Sequence, residues 1–415
     1  MAAVTVPGPS GGWATIAGGS GAGGDLLKVL AGALVASASV PGAVQVTTWF
    51  GGTSPHAPLT TGVTNELLLQ GAPGPGTATN VPGGYDYIAN VEPGKNTISG
   101  SNTAILSGTS GGAFWVDGTS TVAASGGNNT VVGQSGGTYL LMTGDGNDAL
   151  YSNGSATLAG GGGSNLLWAA NSDPNLLISN GISDTIVAGA GPDTAAVYGT
   201  NALIFGGSGS LVVGAGNNAT IAAGTGAETI FGGSSDVVFG DHSSGILFVG
   251  GAGSASIVGS DQSATTVFGS DGSNINFYSV GSLGAAMAAG AGNETLNAGL
   301  SDTNNTLAGG SGADTLIGGS GNDVLWAGVG GDTMTGGAGS NAFNFVDHHA
   351  GSNYVITDFT SNDVVNLIGY GANAATNALD SATTSGGSSV ISLSDSTQIT
   401  FLDVTKLNLS NFSST

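Results

Sequence analysis

Between Gly309 and Asn344 the chain divides into four consecutive nine-residue lines, GGSGADTLI, GGSGNDVLW, AGVGGDTMT and GGAGSNAFN, with nothing left over. A strict short period constrains a fold more than composition does, because each unit contacts only its neighbours and must repeat one local structure. The columns are plain. Positions one, two and four are Gly except at Ala327; position six is Asp314, Asp323, Asp332 and then Asn341; position eight is Leu316, Leu325, Met334 and Phe343. Nine residues are too few for a helix pair, so each line is one short strand plus one glycine turn, with position eight pointing inward as a core ladder.

Two lines make one coil, so the side chains that stack lie 18 residues apart: Asp314 on Asp332, and Asp323 on Asn341. Two carboxylates about 4.8 Å apart, one strand spacing, repel unless a hard cation sits between them. Calcium fits. It takes six to eight oxygens from carboxylates and carbonyls. Glycines at Gly310, Gly312, Gly319, Gly321, Gly328, Gly330, Gly337 and Gly339 permit the positive φ of tight turns and bring backbone carbonyls within reach of an ion. The predicted metal site is therefore these eight glycines with Asp314, Asp323, Asp332 and Asn341.

This pattern resembles the nonapeptide repeats of the RTX family, calcium-binding parallel β-rolls of proteins exported by type I secretion. The lines from Gly309 and Gly318 fit the family consensus fully, and the two that follow are near copies in phase. Looser matches occur earlier, at TGDGNDALY with Asp145 and Asp148, and at AGAGPDTAA with Asp193, which are weaker candidate calcium ligands. Glu228 and Glu294 take the Asp column in two further lines. Elsewhere the column holds neutral residues such as Asn218 and Ser254, which do not repel, so those coils are expected to close without an ion. The segment YVITDFTSNDVVNLIGYG also looks like the family, whose rolls finish in a cap; here its residues are Ile356, Asp358, Phe359, Asp363, Val365 and Leu367. By the same resemblance the tail, a hairpin turning at Asp395 and Ser396, forms an uncleaved export signal.

From about Asn96 onward short apolar runs such as TVVG, TLAG, LIFGG and TIFGG recur near every nine residues, which extends the solenoid reading backward. Residues 41–90 are rich in Pro and Gly around strand-like runs such as Val44 to Phe50, and read as irregular. The apolar stretch Leu26 to Val40 fits a cleaved secretory signal poorly and is too short to span a bilayer. It reads as a helix with Leu26, Leu27, Leu30, Ala33 and Leu34 on one face, covering an open solenoid end. The expected organisation is an N-terminal helix and irregular capping region over 1–95, a degenerate solenoid over 96–300, a calcium-binding roll over 301–345, and a C-terminal cap with secretion signal over 346–415. The fold class is all-β, a parallel β-solenoid.

Twenty-six acidic residues face three basic ones, Lys28, Lys95 and Lys406, for a formal charge of -23. Such a chain has no basic patch for nucleic acid or anionic lipid, so neither nucleic-acid binding nor membrane insertion is expected. There is no Cys, hence no disulfide or thiolate site. Of the four His residues, His348 and His349 read as solvated and His242 as a turn residue; no H-E-x-x-H motif is present. The G-x-S-x-G matches at Ser110 and Ser135 lack a strand, elbow and helix. An active site in residues 1–95, drawing on His56, Asp25, Glu66, Asp86 and Glu92, lacks a nucleophile motif. Trp168 and Trp326 stand at strand ends, where aromatics more often cap core packing than bind sugar. The expected protein is thus no enzyme but a secreted, extracellular or cell-surface structural solenoid that folds on meeting calcium and self-associates. An adhesin or an ice- or polysaccharide-binding rod using Thr and Asn rows is the alternative.

Overall fold

The computed structural model describes residues 3–51, 55–57, 60–70, 78–91, 96–108, 111–240, 242–251, 253–270, 275–278, 283–347, 349 and 351–415. The chain forms two compact units, Met1–Val212 and Val213–Thr415. Each is a parallel β-solenoid in which successive strands alternate between two sheets, here sheet I and sheet II. In the C-terminal unit Thr315–Gly319 pairs with Thr333–Gly337 in sheet II, while Val324–Trp326 pairs with Ala342–Val346 in sheet I. Adjacent lines therefore lie on opposite sides, and residues 18 apart stack, as the period requires. Strand side chains alternate in and out, so position eight forms the core: Leu316, Leu325, Met334 and Phe343 are all fully buried.

The N-terminal unit begins coiling well before Asn96. Val44–Trp49, Thr64–Leu69 and Tyr87–Asn90 are successive parallel strands of sheet I, continuous with Ala104–Ser107. Leu67 and Ile88 continue the inward ladder to Ile105, while residues 52–54, 58–59 and 71–77 of the Pro and Gly clusters lie outside the described residues.

Helix α1, Gly21–Ala38, lies across the outer side of sheet I instead of over a solenoid end. Its buried Leu27, Ala31 and Leu34 pack on Leu68, Ala89, Leu106 and Ala123, the outward residues of four successive strands, together with Val6, Ala14 and Ile16 of the Val4–Pro7/Trp13–Ile16 hairpin. Ala33, expected on the apolar face, is exposed and Ala31 takes its place. With 18 residues α1 is long and apolar enough to cross a membrane by length and composition alone. The N-terminus fits because of glycine. A methyl on Gly23 would stand 2.5 Å from the Ala124 carbonyl oxygen, so the helix rests directly on the strand backbone.

Glu66 sits at an outward position of Thr64–Leu69 between Val46 and Tyr87, both of which pack against the cluster under α1. It is 0 % exposed, neither carboxylate oxygen has a hydrogen-bond partner, and burial raises its pKa to about 8.

At the C-terminal end, Ser388–Ser392 and Gln398–Phe401 form the expected antiparallel hairpin, with Ser396 in the left-handed region. Phe359, Phe401 and Phe412 stack edge to face at 5.0 and 6.0 Å against Phe343, and Phe412–Ser414 closes on Val364–Ile368. Aromatic packing together with the strands Gln398–Phe401 and Phe412–Ser414 covers the last coil.

Candidate metal centre

Position six points into the coil. Asp314, Asp323, Asp332 and Asn341 are each 1 % exposed or less. Every one of these side chains reaches back one coil: the Asp314 amide donates to Asp332 Oδ1 at 2.9 Å, and the Asp323 amide donates to Asn341 Oδ1 at 2.9 Å. The predicted pairs do stack, but they are joined through backbone N–H groups and do not face one another as bare carboxylates.

Two columns result, and they differ in charge. In sheet I the order is Asn305, Asp323, Asn341, Asp363, linked by amide-to-Oδ1 bonds of 2.7, 2.9 and 2.8 Å, so each acid is flanked by neutral amides. In sheet II it is Glu294, Asp314, Asp332, linked at 2.7 and 2.9 Å, with three acids in succession. The like-charge argument therefore applies to sheet II alone. The Asp332 pKa is raised to about 6, chiefly by burial and in smaller part by the Asp314 charge, against hydrogen bonds from the Asp314 and Gly328 amides that lower it. Glu294 is raised to about 7, first by burial and then by its contact with Asp314.

The turns explain the glycines in two ways. Gly312, Gly330, Gly337 and Gly339 have positive φ, at 141, 132, 88 and 99°. At Gly310, Gly319, Gly321 and Gly328 the reason is contact: a methyl on Gly328 would lie 2.1 Å from the Gly310 carbonyl oxygen one coil below. Carbonyl groups of successive turns are thus stacked with no side chain between them, beside the acidic column.

The oxygen-only set of carboxylates and glycine carbonyls suits a hard divalent cation. Two observations favour the fit. Asp323 Oδ2 and Glu294 Oε2 are buried without a hydrogen-bond partner, and three ionisable acids share one dry column. Among the described residues no three His, Asp or Glu side chains converge on a point; an ion held here would draw on the stacked glycine carbonyls beside the carboxylates.

A family model for the RTX calcium-binding nonapeptide repeat, four copies, matches residues 300–334 and 308–343. Residues 300–343 are RTX calcium-binding nonapeptide repeats. These repeats are of the calcium-binding class, and the match covers Asp314 and Asp332 of the three-acid column, with Glu294 six residues before it. No curated protein matches the chain as a relative.

The weaker candidates separate. Asp148 is buried in a sheet II column that runs Asn129, Asp148, Asn165, Asp184, and its Oδ2 has no partner. Asp193 is also buried, yet its oxygens accept from Asn175 at 3.0 Å and Gly189 at 2.6 Å. Asp145 is not in a column: it is exposed and accepts a hydrogen bond from Ser20, the residue before α1. Sequence reading missed Asp184, Asp236, Asn129, Asn165, Asn175 and Asn305 as column members. The signal available was an Asn or Asp two residues before a strand's inward apolar residue, which survives where the glycine pattern does not. Asp363 and Asp358, read as cap residues, continue the turns: Asp363 extends the sheet I column, and Asp358 accepts from the Gly336 and Gly337 amides at 2.8 and 2.7 Å.

The other sequence candidates stay apart from this centre. His242 is a left-handed turn residue with φ 62°, and Ser135 is exposed in a turn between strands with no helix following. Ser110, Glu92 and His348 lie outside the described residues. Trp168 and Trp326 point outward, 44 and 37 % exposed, because they occupy position nine and the strand alternation turns them away from the core.

Proposed function

We propose that this is a secreted, non-catalytic structural protein at or outside the cell surface, whose C-terminal unit completes its folding on meeting extracellular calcium and which then self-associates. The observation that carries the reading is the buried Glu294, Asp314 and Asp332 column, of which Asp314 and Asp332 lie inside the RTX match. Calcium would supply the positive charge that lets Glu294 and Asp332 stay ionised in a buried column. Without it the column holds its acids by backbone N–H donation alone, and burial pushes Glu294 and Asp332 toward protonation. Low cytosolic calcium would keep the repeat region loose enough for type I export, and millimolar external calcium would close it. Large apolar residues exposed on the solenoid strands, among them Trp168, Phe231, Phe239, Phe268 and Trp326, support self-association.

Circular dichroism of the full chain in calcium and in excess chelator tests the reading. A gain of β signal and a cooperative transition on calcium addition is expected; identical spectra in both would remove it.

A further inference from the structure

The outer side of sheet II in the N-terminal unit carries one unbroken row: Trp115, Val132, Tyr151, Trp168, Val187 and Phe205, neighbours strand by strand. The parallel row two residues earlier is Ala, Thr or Leu at every strand from Ala113 to Leu203. Neither row contains a charged residue, although the chain carries 29. Helix α1 covers sheet I of this unit and leaves these rows open. Trp115, Trp168 and Phe205 are 37, 44 and 39 % exposed, so their rings are only partly removed from water. The Trp168 ring is held edge-on to Tyr151 at 5.5 Å, which fixes its direction before any ligand arrives.

Size and charge select the occupant. Six strands at about 4.8 Å give a stripe about 24 Å long, and its two rows are about 7 Å apart. That is far below the roughly 800 Å² per partner that a stable protein dimer needs. It matches a single extended polymer chain laid along the solenoid. Aromatic faces attract the C–H face of a sugar ring through their negative quadrupole, and the Thr hydroxyls beside them meet ring hydroxyls. With no Lys or Arg on the stripe and a strongly negative chain, an acidic glycan or anionic lipid is repelled. We infer that this stripe binds an unbranched neutral polysaccharide, stacked on Trp115, Trp168 and Phe205.

The inference goes beyond the calcium reading and does not depend on it, since the stripe lies outside the three-acid column. Native affinity electrophoresis of the full chain in calcium, through gels containing hydroxyethyl cellulose, dextran or alginate, is the test. Retardation by at least one of the neutral polymers and none by alginate is expected, with at least a tenfold loss of apparent affinity in Trp115→Ala/Trp168→Ala and an unchanged melting midpoint. Tryptophan emission of the unaltered protein, titrated with the same polymers, gives a readout that needs no variant and should shift with the retarding polymer. Absence of retardation and emission change with both neutral polymers overturns the proposal. So does equal retardation of the double variant, or a double variant that alters only the sedimentation coefficient, which would assign the stripe to contact between copies. Failure of calcium-driven folding shows in circular dichroism and is separate from either result.

Discussion

Asp323 and Asp332 occupy the same column position in lines one after the other, yet their surroundings give them opposite responses to losing a charge. Asp332 accepts from the Asp314 amide through Oδ1 and from the Gly328 amide through Oδ2, so an amide group there turns an N–H donor toward another donor. Asp323 Oδ2 has no partner, and an Asn side chain at the equivalent place, Asn341, directs its amide toward the Gly337 carbonyl. Asp323→Asn is therefore expected to stabilise the calcium-free protein by about 1 kcal/mol and to reduce the stabilisation that calcium adds, read from thermal melts in chelator and in calcium. Asp332→Asn should lose calcium stabilisation without the calcium-free gain. Burial of a single acid also gives a pH test away from the metal centre. The Glu66 pKa is raised from 4.5 to about 8, so the folded chain binds more protons than the unfolded chain between those values. Its contribution is most favourable below pH 4.5, declines as pH rises through that window, and is a constant penalty of a few kcal/mol above it. Glu66→Gln should flatten the pH dependence of unfolding of the N-terminal unit between pH 5 and pH 8 relative to the unaltered chain; a parallel loss of stability in both proteins would show that another group sets it.

At the scale of elements, the helix and the glycine turns respond to a methyl group in opposite ways. Gly32 is inside α1 and a Cβ there meets nothing within 4 Å. Gly32→Ala should raise stability by about 0.5–1 kcal/mol through helix propensity alone. Gly328→Ala places its methyl 2.1 Å from the Gly310 carbonyl oxygen and 2.4 Å from that of Gly309. The two coils must part, at a cost of roughly 3 kcal/mol or more, and the calcium-bound midpoint should fall with it. Both changes are read in denaturant melts. The elements also show where sequence reasoning ran out. The repeat lines place every strand from Gly309 to Asn344 because glycine spacing and inward apolar residues are local signals. The strands at Val44–Trp49 and Thr64–Leu69 are less legible, since their outward residues Leu68 and Val46 are apolar too and hide the alternation. Those residues are apolar because α1 covers them, a contact between segments some 40 residues apart.

For the whole molecule, the distribution of charge between columns predicts an uneven calcium response. The N-terminal unit interleaves Asn129, Asp148, Asn165 and Asp184, whereas the C-terminal unit stacks Glu294, Asp314 and Asp332. Chelation should therefore strip hydrogen-exchange protection from residues around 294–345 first and leave the amides of the N-terminal columns protected. At calcium one hundred times the dissociation constant the expected stabilisation is about 2.7 kcal/mol per site. Uniform loss of protection over both units would contradict the distinction drawn between alternating and consecutive acids.

The nine-residue period, read from residues alone, determined the parallel coil, the 18-residue stacking of Asp314 on Asp332, the inward ladder at Leu316 and Met334, and the oxygen chemistry of the turns. These follow from neighbours within one or two lines, where backbone geometry leaves a single arrangement. Tertiary structure alone decided that each column side chain accepts an amide from the coil before it, that Asp145 meets Ser20 across 125 residues, that α1 packs on the outer side of sheet I over Leu68, Ala89, Leu106 and Ala123, and that the aromatic row of sheet II stays open. Such outcomes depend on which surface another segment happens to cover. A repeat fixes the surfaces but not their occupants.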